Sequence, residues 1–148
     1  QSTMKKSLRC ICAALFMLAF CTGFVIHASA VERASLYLTR YSATVSASNN
    51  GAIEMSIFVV ANKSVSELGA SYILLEESDD GGKTWSTARE YEGQSWMTAE
   101  NRSTYSRTLS YPGTIGHQYR VTAEVFAKDA NGGDSRTTPT SPVVTAKR

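Results

Sequence analysis

The chain has 148 residues, with 15 Lys+Arg against 13 Asp+Glu, three cysteines and two histidines. Three of those cations (Lys5, Lys6, Arg9) and all three cysteines (Cys10, Cys12, Cys21) fall in the first thirty residues, so residues 31–148 carry 12 cations against 13 acids. For that larger part the balance excludes a disulfide framework, a Cys–His nucleophile pair, zinc sites of the usual ligand sets and the basic stripe of a nucleic-acid binder.

The opening segment has the pattern of a secretory leader. Lys5, Lys6 and Arg9 form a basic start, Cys10 to Ile26 is almost wholly apolar, and Ala28-Ser29-Ala30 places small residues where signal peptidase cuts. Met4 reads as the initiator, with residues 1–3 non-native or overcalled. The expected organisation is therefore a signal-peptide helix over 1–30 and one domain over 31–148. A retained membrane anchor is the alternative, because the apolar run approaches the ~20 residues that span a bilayer. Lipidation at Cys21 is disfavoured by Phe20, which stands where a small residue is needed.

From Val31 the chain reads as strand and turn. Leu36, Leu38, then Tyr41, Ala43, Val45 and Ala47 alternate with a phase shift after Leu38, which predicts a bulge or bend. Asn49-Asn50-Gly51 is a turn, and Ile53, Met55, Ile57 and Val59 form the apolar face of a central strand. Residues 62–67 read as a polar loop leading through Leu68-Gly69-Ala70 into a hairpin. Its arms are 71–77 and 84–91, joined by Ser78-Asp79-Asp80-Gly81-Gly82-Lys83-Thr84-Trp85, where acidic and hydroxyl side chains hold the turn and two glycines supply positive φ. Trp85 is expected to cover the core behind that hairpin.

Residues 92–101 read as the longest irregular stretch, followed by a strand over 104–109 broken at Tyr111-Pro112-Gly113. Gln118 to Ala127 alternates cleanly, with Tyr119, Val121, Ala123 and Val125 on one face. A turn at 129–134 then gives a final strand over 135–145, placed at a sheet edge by Pro139 and Pro142. About seven short strands at regular spacing predict an all-β, antiparallel β-sandwich.

The run Leu109-Ser110-Tyr111-Pro112-Gly113-Thr114-Ile115-Gly116-His117-Gln118-Tyr119-Arg120-Val121 resembles the E–F region of fibronectin type III and immunoglobulin-like domains. The resemblance implies a tyrosine corner, with the Tyr119 hydroxyl bonded to backbone a few residues upstream. Together with Ile57-Phe58-Val59-Val60, Leu68-Gly69-Ala70 and the Gly-X-X-Trp hairpin, residues 34–147 look like a family of small secreted bacterial proteins of unknown function built on this sandwich. Ser78-X-Asp80-X-Gly82-X-Thr84-Trp85 also resembles an Asp-box, the structural hairpin of sialidase-type propellers. It occurs once, and a propeller needs several blades.

These resemblances supply no activity. Asp80, Gly82, Trp85 and Tyr119 are expected to be structural. His117 is the lone histidine of residues 31–148, so a serine triad would have to use it. The cluster Glu76, Glu77, Asp79 and Asp80 invites a glycosidase pair or calcium, but it lacks the ligand spacing of an EF-hand and suits a solvated hairpin end. Tyr91, Trp96 and Tyr105 are the candidate ligand-binding residues, as a stacking platform for sugar rings; in the competing reading Trp96 and Met97 cap an open end of the core. Asn62-Lys63-Ser64 and Asn101-Arg102-Ser103 match the N-glycosylation pattern and mark surface loops. The expected function is a secreted, extracellular, non-enzymatic interaction or adhesion module without cofactor or metal, its partner a protein or a glycan. The alternative is a carbohydrate-binding module beside a glycan-degrading enzyme. No nucleic-acid partner is expected, and membrane only through an uncleaved leader.

Overall fold

The computed structural model describes residues 35–148, so the leader reading lies outside the described residues. Within them the chain is all-β, a curled antiparallel sheet of seven strands. These are β1 (Leu38–Ala47), β2 (Ala52–Ser78), β3 (Ser86–Glu92), β4 (Thr98–Pro112), β5 (Gln118–Asp129), β6 (Gly132–Thr137) and β7 (Val144–Thr145).

The curl follows from β2. A straight strand of its 27 residues would span roughly 90 Å, several times the ~13 Å radius of gyration of a domain this size. It therefore has to bend. Its first half pairs with β1 on one side and with the second half of β4 on the other. Its second half pairs with β5 on one side and with β3 and the start of β4 on the other. Register shifts between Val60 and Val65 and between Ala70 and Tyr72 mark the change of partners.

Period-two alternation sets the concave face. Ile53, Met55, Ile57 and Val59 on β2, and Tyr119, Val121, Ala123 and Val125 on β5, are all buried, and they meet in one core with Leu38, Ala43, Leu68, Ile73 and Leu75. The phase shift expected after Leu38 is a bulge between Leu38 and Arg40. Asn50 and Gly51 both adopt positive φ in the turn that follows, as that dipeptide requires.

Five expectations are corrected. Residues 62–67 are strand and not loop: Val65 is buried, so the bulge that exposes Asn62, Lys63 and Ser64 returns the chain to the concave face without breaking it. The irregular stretch over 92–101 shrinks to a 3-10 turn at Ser95–Met97 anchored by buried Met97, with β4 already running from Thr98. Pro112 does not break that strand, since it ends it opposite Ala52. Both glycosylation-pattern asparagines thus sit on strands, Asn101 at positive φ. Finally, the strand over 135–145 is two pieces. Pro139 and Pro142 interrupt the ladder between β6 and β7, while Thr138 and Ser141 keep the chain on the β5 edge through backbone bonds to Ala123 and Val121.

Candidate functional site

The hairpin turn between β2 and β3 is held by one carboxylate. Asp80 Oδ1 accepts from Ser78 Oγ (2.7 Å), Thr84 N (2.9 Å) and Lys83 N (3.0 Å), and Oδ2 accepts from the Thr84 hydroxyl. Ser78 Oγ in turn accepts from Gly82 N at 2.9 Å. Gly81 and Gly82 take φ of 75° and 87°. Donors led by the Thr84 hydroxyl hold the Asp80 carboxyl down at about 2, against an ordinary 3.8. A carboxylate so engaged is a turn staple. Among the described residues no group of three or more His, Cys, Asp or Glu is placed to hold a metal ion.

Because the Asp80 pKa is depressed in the fold, its contribution is complete above pH ~4 and is lost as pH falls through about 2. Asp80→Asn should therefore flatten the dependence of stability on pH between 4 and 2, read from urea midpoints at each pH. Parallel slopes for the two proteins would show that the staple carries no stability.

Trp85 is not a core residue. It is half-buried and lies under the Arg120 guanidinium at 4.2 Å. Arg120 is itself held by Glu76 through Nε–Oε2 (2.9 Å) and Nη2–Oε1 (3.3 Å). Glu76 and Arg120 face each other across β2 and β5 on the convex side, so the ring is drawn there and away from the core. Trp85→Ala should then cost only ~1 kcal/mol, the scale of an exposed cation–π contact, measured by urea denaturation.

Beneath the turn Tyr119 is fully buried, and its hydroxyl accepts from Thr114 N at 2.7 Å and donates to Glu77 Oε1 at 2.9 Å. The back-bond five residues upstream has the geometry of a tyrosine corner. Burial is the main force raising the phenol's pKa. His117 Nδ1 pairs with the same Glu77 oxygen. An acid–imidazole pair is half of a triad, but of the two hydroxyls lining the same 210 Å³ hollow Thr84 Oγ1 is given to Asp80 and Ser86 Oγ is directed to the Glu77 carbonyl at 3.5 Å. No serine hydroxyl meets the imidazole among the described residues.

The three candidate aromatics separate. Tyr105 is buried in the core with its hydroxyl donating to Trp96 O at 3.1 Å, so it offers no face to a ligand. Tyr91 and Trp96 do meet, half-buried, with centroids 5.6 Å apart, but at 73° to each other. A sugar-stacking platform needs coplanar rings, and this pair is edge-to-face.

What the rings line instead is an open mouth. β3 and the second half of β4 each pair with β2 on one side and have no strand on the other among the described residues. Arg89 and Tyr91 lie opposite buried Leu75 and Ile73, and Arg107, Leu109 and Tyr111 lie opposite buried Ile57, Met55 and Ile53, so all five point to the concave side. Arg89 sits 5.8 Å from the Tyr111 ring centroid and Arg107 5.0 Å from that of Trp96. Side chains, not backbone bonds, bridge the two strands here. The sequence reading missed both arginines. Their signal was a cation inside an apolar period-two stripe (Tyr105, Arg107, Leu109, Tyr111), visible only once β4 is extended to Pro112.

A hollow of 600 Å³ lies along the β5–β6 hairpin. Two of its acids are occupied: Asp134 Oδ2 accepts from Ser35 Oγ, Leu36 N and Tyr37 N, and Asp129 from Lys63, Tyr37 and Asn131. They fasten the chain ahead of β1 to the hairpin.

No family model matches the chain, and no curated protein matches it. Among solved structures it is similar to a putative ApaA protein from Bordetella pertussis, at 13% identity over 78% of this chain and 99% of that one, with a TM-score of 0.46. At that similarity the neighbour carries no argument about fold or function.

Proposed function

We propose that this is a secreted, non-enzymatic extracellular interaction module on an immunoglobulin-like β-sandwich frame, engaging a protein partner through the unpaired edge of β3. The observation that supports this reading is the mouth itself, where two strand edges lie open beside half-buried Tyr91, Trp96, Leu109 and Tyr111. Main-chain groups along such an edge supply affinity for an added strand, and neighbouring side chains supply its specificity. The corner geometry at Tyr119 supports the frame. The carbohydrate-binding alternative loses support because Tyr105 is buried and the remaining two rings are crossed.

The two readings part on arrays of extracellular proteins and of glycans probed with the labelled chain. Binding to protein features, competed by an excess of unlabelled chain, is the expected result. Binding confined to glycan features would replace this reading with the carbohydrate-binding one.

A further inference from the structure

The chemistry of β3 states which strand it accepts. Along its regular run Arg89 and Tyr91 face the concave mouth, while Glu90 and Glu92 lie opposite Leu74 and Tyr72 and face outward. The mouth is cationic: neither Arg89 nor Arg107 has a carboxylate partner among the described residues. By contrast Arg120, Lys63 and Lys128 are each paired with an acid. The outward side of the same edge is anionic.

The β3 of a second copy does not fit. Opposite residues in a continuous sheet share a face, so a two-fold antiparallel β3–β3 pairing must centre on a residue. The register shift at Ala88 confines that centre to the regular run 89–92. Centring on Arg89 sets Arg89 against itself, centring on Glu90 or Glu92 sets that glutamate against itself, and centring on Tyr91 sets Glu90 against Glu92. Like charges directly opposite are destabilising, and charges turned inward at an edge guard against indiscriminate pairing. The edge is therefore open to a strand but closed to the β3 of a second copy.

We propose that β3 is the docking edge for an extended segment of a different protein. This segment carries acidic and apolar side chains on the face turned into the mouth and basic side chains on the other. The inward acids meet Arg89 and Arg107, the inward apolar residues cover Tyr91, Leu109 and Tyr111, and the outward cations meet Glu90 and Glu92. This rests on the strand-addition reading above and adds the charge pattern of the partner.

The test uses two fluorescein-labelled octapeptides against the full chain, followed by anisotropy. One alternates lysine on one face with glutamate and valine on the other; in the second, the glutamates are replaced by lysine. The wild type should prefer the first by about tenfold or more. The double variant Arg89→Glu/Arg107→Glu should reverse the order, a rescue that loss of fold cannot produce. Glu90→Pro and Tyr91→Pro complete the test. Adjacent amides of a strand point to opposite sides, so one of the two prolines leaves the β2 ladder intact, and the variant with a wild-type thermal midpoint should lose probe binding. Equal affinity of the wild type for both peptides, an unchanged order in the double variant, or unchanged binding in the folded proline variant each overturns the proposal. A chain that binds protein features on the array yet fails the peptide test keeps the interaction reading and loses this one.

Discussion

Gly69→Ala is expected to destabilise the domain by about 3 kcal/mol or more, a large effect for the addition of one methyl group. A Cβ at this position would stand 1.9 Å from the Met97 carbonyl oxygen, 2.9 Å from its carbon and 3.1 Å from Thr98 Cα. All three are backbone atoms, so no rotamer change relieves the overlap. Nor can the neighbour withdraw. Met97 is buried, its amide is bonded to Gln94 O at 3.0 Å, and Trp96 O is tied to the Tyr105 hydroxyl. Gly69 also sits where β2 is flanked by Thr98 of β4 and Phe126 of β5, at a φ of 156°. Gly93→Ala separates overlap from backbone strain. It has a φ of 65° with no atom of the described residues within 4 Å of its would-be Cβ, and should cost only the ~1–2 kcal/mol of a left-handed residue. Urea midpoints with unchanged m-values measure both. Equal costs at the two sites would mean that the Ser95–Met97 turn yields.

Where one face of a strand is uniformly apolar, as at Ile53 to Val59 and Tyr119 to Val125, alternation alone located the strand and its buried side. Turn residues with one conformational use, Asn50-Gly51 and Gly81-Gly82, were equally legible. Continuity was not. A run such as Asn62-Lys63-Ser64 carries no strand signal, because a bulge leaves its side chains in water while the backbone keeps its course. That β2 is one strand serving two sets of partners depends on pairings from distant segments, which no local pattern contains.

The candidate site divides along the same line. Asp80 and Gly82 act through bonds within four residues of themselves, so their geometry was readable from spacing; the back-bond of Tyr119 to Thr114 was implied by the resemblance, but its bond to Glu77, 42 residues away, was not. Trp85 was misplaced because its position is decided by Arg120, 35 residues further on and fixed by Glu76. The mouth depends on two edges that face each other without pairing. Tyr91 and Trp96 were visible as aromatics in the sequence, but their arginine neighbours are defined only by the register of β3 and β4 on β2.

Tyr119→Phe should destabilise the domain by about 1–3 kcal/mol while leaving its packing intact. The ring is fully buried and lies 6.0 Å from Tyr111 in a tilted contact that phenylalanine reproduces. What the substitution removes is the hydroxyl, which joins two segments by accepting from Thr114 N and donating to Glu77 Oε1. The loss is asymmetric. Glu77 keeps His117 as a partner, but the Thr114 amide has no other acceptor among the described residues. A donor left unsatisfied retains its desolvation cost, which is why the effect exceeds that of an exposed bond. Thr114 also opens the tight turn to His117, whose amide returns to the Thr114 carbonyl at 3.0 Å, so hydrogen exchange at residues 113–117 should rise with the fall in urea midpoint. An unchanged midpoint with unchanged exchange would show that this hydroxyl is not the element that fixes the corner.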